Sequence, residues 1–320
     1  MKRIEHARTG LSFTELGLGT APLGNLFSAV PDAEVRALID AAWEGGVRHF
    51  DTAPLYGLGL SETRLGAALR DRPRDDYVLA TKVGRLLDDA TEATRDGVGK
   101  WFEVPAKRER YDFSADGVRR SLDASLERLG LDRADVLHGH DLDRRNQGPM
   151  LEPRLREFLD GGIPALVALR EQGVIRAVGL GVNEWEPARW LLERADLDVV
   201  LLAGRYTLLE QGARAFLDLC AERGVGVIIG GPYNSGLLAG GEHYDYGDVP
   251  PRLAERTRAL RALVEGHGAR LVDAAFRFPL RHPAVVSVIP GSQTLAEMED
   301  NLRAQAAVLP DALWADLPLP

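Results

Sequence analysis

One cysteine, Cys220, stands in the 320 residues, so no intrachain disulfide can form. A reducing compartment, the cytoplasm, is the expectation. No apolar run approaches the ~20 residues that a membrane span needs. The basic start, MKRIEHARTG, has no apolar stretch behind it, so no secretory signal is expected. Positive charge is also in deficit: 39 basic against 48 acidic residues leave a net charge of −9, which argues against non-specific binding to nucleic acid. Short-period repeats and low-complexity tracts are missing. No Gly-x-Gly-x-x-Gly opens a helix after the first strand, which weighs against a doubly wound dinucleotide-binding sheet. What remains, 45% hydrophobic and 27% charged, is the composition of a globular protein.

The apolar pattern is that of alternating strands and helices. Short continuous apolar runs recur at LSFTELGLGT (11–20), RHFDTA (48–53), YVLATKVG (77–84), DVLHGHD (135–141), IRAVGLGV (175–182), DVVLLAGR (198–205), GVGVIIGG (224–231) and VVSVIPG (285–291). Continuous rather than alternating runs fit strands with both faces buried under helices. Between them lie helical patterns, such as Val35, Leu38, Ile39 and Ala42, or Val118, Leu122, Leu126 and Leu129. A helix is expected from Ser61, with a capping-box-like start. Eight strands alternating with helices make a single (β/α)8 barrel domain over 1–320, a doubly wound sheet being the second choice. The stretch Arg85–Phe113 after the third strand is aperiodic and reads as a long functional loop.

In such a barrel the chemistry gathers at the C-terminal ends of the strands. The second, third and fourth strands deliver Asp51, Lys82 and His140 there, and Tyr56 lies on the loop after Asp51. Taken singly, each has a bland reading as a loop cap, a surface lysine or a satisfied polar residue; together they form a coherent relay. A tyrosine titrates near ~10, too high to carry protons at neutral pH. A neighbouring ammonium favours the phenolate, and a carboxylate holds the ammonium in place. An imidazole can orient a substrate oxygen. Such a relay makes or breaks a carbonyl but supplies no electrons, so a hydride carrier must be bound beside it. A competing reading, a metal-dependent barrel hydrolase, takes His138 and His140 of His138-Gly139-His140-Asp141 as a metal pair, because both side chains project to the same side of a strand. Metal sites need three or four ligands, and no further histidine ends an expected strand.

The residues GVRHFDTAPLYGLGLSETRLG (46–66), the strand-end Lys82, DVLHGHD, GLGVNEW (179–185) and VIPGSQTLAEMEDNL (288–302) resemble those of aldo-keto reductases, over nearly the whole chain. The resemblance implies a (β/α)8 TIM barrel and an NAD(P)-dependent oxidoreductase. It also implies a tetrad of Asp51, Tyr56, Lys82 and His140, with Tyr56 as acid/base. Asn183 matches the family's holder of the nicotinamide carboxamide, and Gly19, Thr20 and Asp51 fall in the same cofactor-binding set. Tyr233 and Ser235 match the loop over the pyrophosphate. Gly291, Ser292, Gln293, Glu297 and Asn301 match the adenosine site. Trp101 and Phe102 are candidates for the substrate pocket.

The chain departs from the family pattern at three places. Gly230-Gly231-Pro232-Tyr233 replaces the Tyr-Ser-Pro-Leu that supplies a nicotinamide-stacking tyrosine, Ala203 stands where many members have glutamine, and Gly-Val-Asn (181–183) replaces Val-Ser-Asn. With RYTLLEQ and GGPYNSGLL, these features are similar to a branch of sugar 1-dehydrogenases (D-threo-aldose, L-fucose) and pyridoxal 4-dehydrogenases. That likeness implies oxidation of an aldose at C1 to a lactone; pyridoxal oxidation and general aldehyde or ketone reduction are the alternatives. A non-catalytic cofactor-binding subunit is a further alternative that the complete tetrad disfavours. Gly291 and Glu297 occupy places where NADP-using members carry a Lys and an Arg, so NAD is the preferred cofactor expected here. Ser292 and Arg303 leave NADP as a weaker option.

Overall fold

The computed structural model describes residues 1–91, 101–245 and 247–317. Eight parallel strands run in chain order around the sheet: Leu18–Gly19, His49–Asp51, Val78–Val83, Val136–His140, Ala177–Val182, Val199–Ala203, Gly226–Gly230 and Val285–Ile289. Single parallel bridges, Leu16 to Val288 and Gly19 to Gly291, join the last strand to the first. This closure sets the doubly wound alternative aside, because an open sheet has two unpaired edges.

Side chains alternate along each strand, so the barrel has two cores. Outward-facing Phe50, Leu79, Leu137, Leu180, Val200, Leu202 and Ile229 pack under the helices in the main core. Inward-facing Val78, Ala80, Val136, Ala177, Val199, Leu201 and Ile228 fill the barrel itself with Leu11 and Phe13. Those last two belong to a hairpin, Arg3–His6 with Leu11–Thr14, that plugs the N-terminal end. The expected strand over 11–20 is therefore two pieces with different jobs. A hairpin and a barrel strand look alike as apolar runs, and only the turn at Glu15–Gly17 divides them.

Higher in the barrel the inward residues turn polar. His49 and His138 form a middle layer, with His49 Nδ1 2.9 Å from Ser287 Oγ. Gly179 leaves the space that His138 fills, since a Cβ there would lie 2.3 Å from the ring Nδ1. Asp51, Lys82 and His140 follow as the uppermost inward layer, and so an apolar floor leads to a polar mouth.

The helices are set by the spacing read above. Asp32–Glu44 buries Val35, Leu38, Ile39 and Ala42. Ala115–Leu129 starts where Ser114 Oγ accepts from Gly117 N and stops at Gly130 in the left-handed region. Each such Leu or Val contributes about 1.5–3 kcal/mol by leaving water. Ser61 behaves differently from the expectation. The helix Leu60–Leu69 has no side-chain cap, and Ser61 Oγ donates to the Thr20 carbonyl instead, 2.9 Å away. The stretch after the third strand also differs from an irregular loop. Arg85–Asp89 pairs antiparallel with Lys107–Tyr111, so a two-stranded stem stands beside the mouth. Its charged residues hid the alternation, because the second strand faces solvent over much of its length.

Candidate active site

Lys82 Nζ lies 2.5 Å from Asp51 Oδ1 and donates to the Thr52 carbonyl at 2.8 Å. Both side chains are 1% exposed, so this is a fully desolvated ion pair at the top of the barrel. Burial pushes the Asp51 carboxyl up, and the Lys82 ammonium pulls it back. The same ammonium sits 4.9 Å from the centroid of the Tyr56 ring. The His140 ring meets Tyr56 edge to face, 6.0 Å away and at 87°. Burial, and then the cations Arg85 and Lys82, hold His140 well below the usual histidine range. The imidazole is therefore neutral near pH 7. The structure brings all four expected residues together.

Tyr56 is placed by close backbone packing. A Cβ at Gly57 would fall 2.4 Å from the Gly24 carbonyl oxygen, and one at Gly24 2.6 Å from Gly57 N. Two glycines thus let the first and second strand-end loops touch and aim Tyr56 over Lys82. Thr20 holds the same joint from beneath: its hydroxyl donates to the Asp51 carbonyl at 2.9 Å.

Beyond the tetrad, Asn183 donates from Nδ2 to Asp141 Oδ1 (3.1 Å) and Asp143 Oδ2 (3.0 Å). With both amide hydrogens directed at carboxylates, its Oδ1 is the side left to accept. Asp141 also takes Arg85 Nη2 at 2.5 Å, and Arg85 pairs on its other side with Glu109 of the hairpin. Neither Arg85 nor Asp141 stood out in the sequence. Both lie in charged stretches, and only the hairpin's position shows that Arg85 turns inward.

Five of the other expected cofactor residues fall into two groups. Gly19 and Gly291 form the bridge that closes the barrel, and a Cβ on Gly291 would lie 2.8 Å from Pro22 Cγ. Ser292, Asn301 and Tyr233 form a chain: Asn301 donates to Ser292 Oγ at 2.9 Å and accepts from Tyr233 Oη at 2.6 Å. Gln293 ties its amide to the Leu26 carbonyl at 3.0 Å. Glu297 accepts from Gln293 N at 2.6 Å, at the start of the helix Leu295–Ala306. Ser235 lies on the loop after the seventh strand, with φ at +59°.

A nicotinamide ring fits what the strand ends offer. The last inward-facing residues of strands five, six and seven are Gly181, Ala203 and Gly230, with no side chain longer than a methyl. A Cβ on Gly181 would already touch Lys82 Cε at 3.4 Å, so this bare shelf adjoins the relay. Asn183 Oδ1 supplies an acceptor for an amide donor beside it.

A cleft of about 690 Å³ opens over the tetrad and is lined by Tyr56, Lys82, His140, Asn183, Trp101 and Arg85 among others. Trp101 closes one side, 6.2 Å from the Tyr56 ring, packed on Leu58 and Val104. Phe102 does not line it; its backbone exchanges hydrogen bonds with Asn25 instead. His138 lies one layer below His140, 3.9 Å from Asp51 Oδ2. Among the described residues, no group of three or more His, Cys, Asp or Glu is placed to hold a metal ion. No helix among them is long and apolar enough to cross a membrane.

The barrel carries this mouth at the C-terminal ends of its strands, where enzymes of this fold keep their chemistry. The Aldo/keto reductase family model matches residues 15–318, and the chain belongs to that family. It is an NAD(P)-dependent oxidoreductase. The chain is 42% identical to a D-threo-aldose 1-dehydrogenase of Pseudomonas sp, over 97% of this chain and 95% of that protein. It is 41% identical to a pyridoxal 4-dehydrogenase of Microbacterium luteolum, over 97% and 94%. An aldo-keto reductase structure from Bacillus halodurans in its holo form superposes with a TM-score of 0.74 at 25% identity, covering 98% of this chain and 93% of that one.

Proposed function

We propose that the protein oxidises the hemiacetal carbon of an aldose to a lactone, with NAD+ preferred. The observation that carries this reading is the buried Asp51–Lys82 pair beneath the Tyr56 ring. Lys82 favours the phenolate of Tyr56, which takes the proton of the C1 hydroxyl. His140 donates to the same oxygen and holds it in line. The C1–H bond breaks as the C1=O bond forms, and no other atom leaves the sugar. When bound, the nicotinamide supplies the acceptor for that hydride. Asn183 would hold its carboxamide through Oδ1. Ser235, Ser292, Asn301 and Glu297 would hold the rest of the dinucleotide. Glu297 supports NAD+ over NADP+, since a carboxylate repels a 2′-phosphate and accepts from a free ribose hydroxyl.

A sugar suits the cleft, because its lining combines Trp101 with the polar side chains of Arg85, Asp141, Asn146 and Arg145. Sugars offer an apolar ring face and a rim of hydroxyls. A second reading, pyridoxal oxidation, draws on the aromatic wall of Trp101 and Tyr56 and on the pyridoxal 4-dehydrogenase relative. A panel of aldoses and pyridoxal, each with NAD+ and NADP+, separates the two by the appearance of reduced cofactor. Finding only NADPH-driven aldehyde reduction sinks both.

A further inference from the structure

Asp141 joins three parts of the site that no single contact in the relay connects. Its backbone is in the left-handed region, at φ +53°, held there by Asp141 N donating to the Gly181 carbonyl at 2.8 Å and by Gln147 Nε2 donating to its own carbonyl at 2.7 Å. This turn brings the carboxylate back over the strand end. Oδ2 stands 3.4 Å from His140 Nε2 and 2.5 Å from Arg85 Nη2, and Oδ1 accepts from Asn183 Nδ2 at 3.1 Å. His140 Nδ1, on the other side of the ring, is buried with no hydrogen-bond partner among the described residues.

A neutral imidazole carries one proton, and its two nitrogens here meet opposite conditions. Nε2 lies 3.4 Å from the Asp141 carboxylate without a hydrogen bond to it, so a proton there is favoured by the nearby carboxylate and stays free to donate; burial pushes that carboxyl up and the Arg85 guanidinium pulls it back. On Nδ1 it would be a buried donor with nothing to accept it, while the Nε2 lone pair faced the same carboxylate. An unmet buried donor is worth roughly a ten- to hundredfold preference between such tautomers.

We propose that Asp141 is the positioning residue of this site, fixing His140 as the Nε2–H tautomer through Oδ2 and turning the amide of Asn183 through Oδ1. Nε2–H is the donor that a substrate oxygen needs. An Asn183 whose hydrogens are taken by Asp141 and Asp143 presents its oxygen. One carboxylate therefore sets the hydrogen-bonding sense on the substrate side and on the cofactor side together. The role rests on the reading of His140 as the group that orients substrate.

The test uses two variants of the full chain. Apoenzyme carrying nitrogen-15 histidine is examined by long-range proton–nitrogen correlation, with His140 assigned by its loss in His140→Leu. The wild type shows the Nε2–H pattern. Asp141→Ala shows a substantial Nδ1–H population. In Asp141→Asn, Arg85 keeps the amide oxygen in the Oδ2 place, so the Nε2–H pattern persists while the Asn183 contact is lost. Kd for NAD+, read from quenching of tryptophan fluorescence, rises about tenfold in both variants, the size of one lost charge-assisted hydrogen bond. A wild-type Nδ1–H tautomer, or an unchanged tautomer in folded Asp141→Ala, overturns the proposal. So does an unchanged Kd in Asp141→Asn, which carries the test if the alanine variant does not fold. Unchanged turnover in His140→Leu would tell against the reading of His140 alone, because the tautomer is measured without substrate or cofactor.

Discussion

Lys82 Nζ and Asp51 Oδ1 are 2.5 Å apart in a place that water does not reach. Desolvation of each charge is offset only by the other and by the Thr52 carbonyl. Lys82→Met should cost about 3–5 kcal/mol at pH 8, the usual penalty for stranding a buried charge. The loss should shrink on acidification. Without Lys82 the folded-state carboxyl of Asp51 rises further, so the native state takes up a proton before the unfolded state does, and stability is regained as pH falls. Urea titrations at pH 8 and pH 5 measure this; equal losses at both would show that Asp51 is not the stranded charge.

Tyr56→Phe keeps the ring that packs on Trp101 and removes the hydroxyl. Turnover should fall by ~10²–10⁴-fold, the usual contribution of general acid–base catalysis. Cofactor affinity should be largely kept. A variant with near-wild-type turnover in a chemistry-limited assay would remove Tyr56 from the relay.

His49, His138 and His140 are buried and neutral, and burial holds His49 down to about 3. Their ordinary value is near 6.5, so below that pH the unfolded chain binds protons that the native state refuses. The native state is favoured fully above pH 6.5, and stability is lost as pH falls from there toward 3. Asp51 and Asp141, pushed up by burial, act in the opposite sense at the acidic end. His49→Asn removes one of the three histidines. The slope of unfolding free energy between pH 6.5 and pH 4.5 should flatten by up to about 1.4 kcal/mol per pH unit. An unaltered slope would mean that His49 is already charged in the native state.

Glu297 reaches back to Gln293 N, and Arg303, further along the same helix, lies 3.6 Å from Asp300. On the proposed reading that Glu297 faces the ribose 2′-position, Glu297→Arg exchanges a repelling carboxylate for a cation that binds a 2′-phosphate. The ratio of kcat/KM for NAD+ over NADP+, measured with one sugar, should move toward NADP+. A wild-type enzyme that already prefers NADP+ would overturn the assignment.

The eight strand runs, most of their helices and the four residues that meet at the mouth were legible as local pattern. Lys82 ends an apolar run because the barrel alternates in and out with period two, and Asp51 and His140 end theirs for the same reason. The N-terminal plug was not legible, because Leu11–Thr14 and Leu18–Gly19 are one apolar stretch until the chain folds back on itself. Ser61 carries a capping signature, and burial against Thr20 gives its hydroxyl another partner. Arg85 and Asp141 come from opposite ends of a 56-residue separation, one in a charged hairpin and one past a strand end. Their pairing depends on how the hairpin leans over the mouth. Sequence alone determined which groups gather at the mouth, since strand period fixes the direction of each side chain. Tertiary structure decided how those groups are oriented and charged, since desolvation and partner distance belong to the closed barrel and not to any one segment.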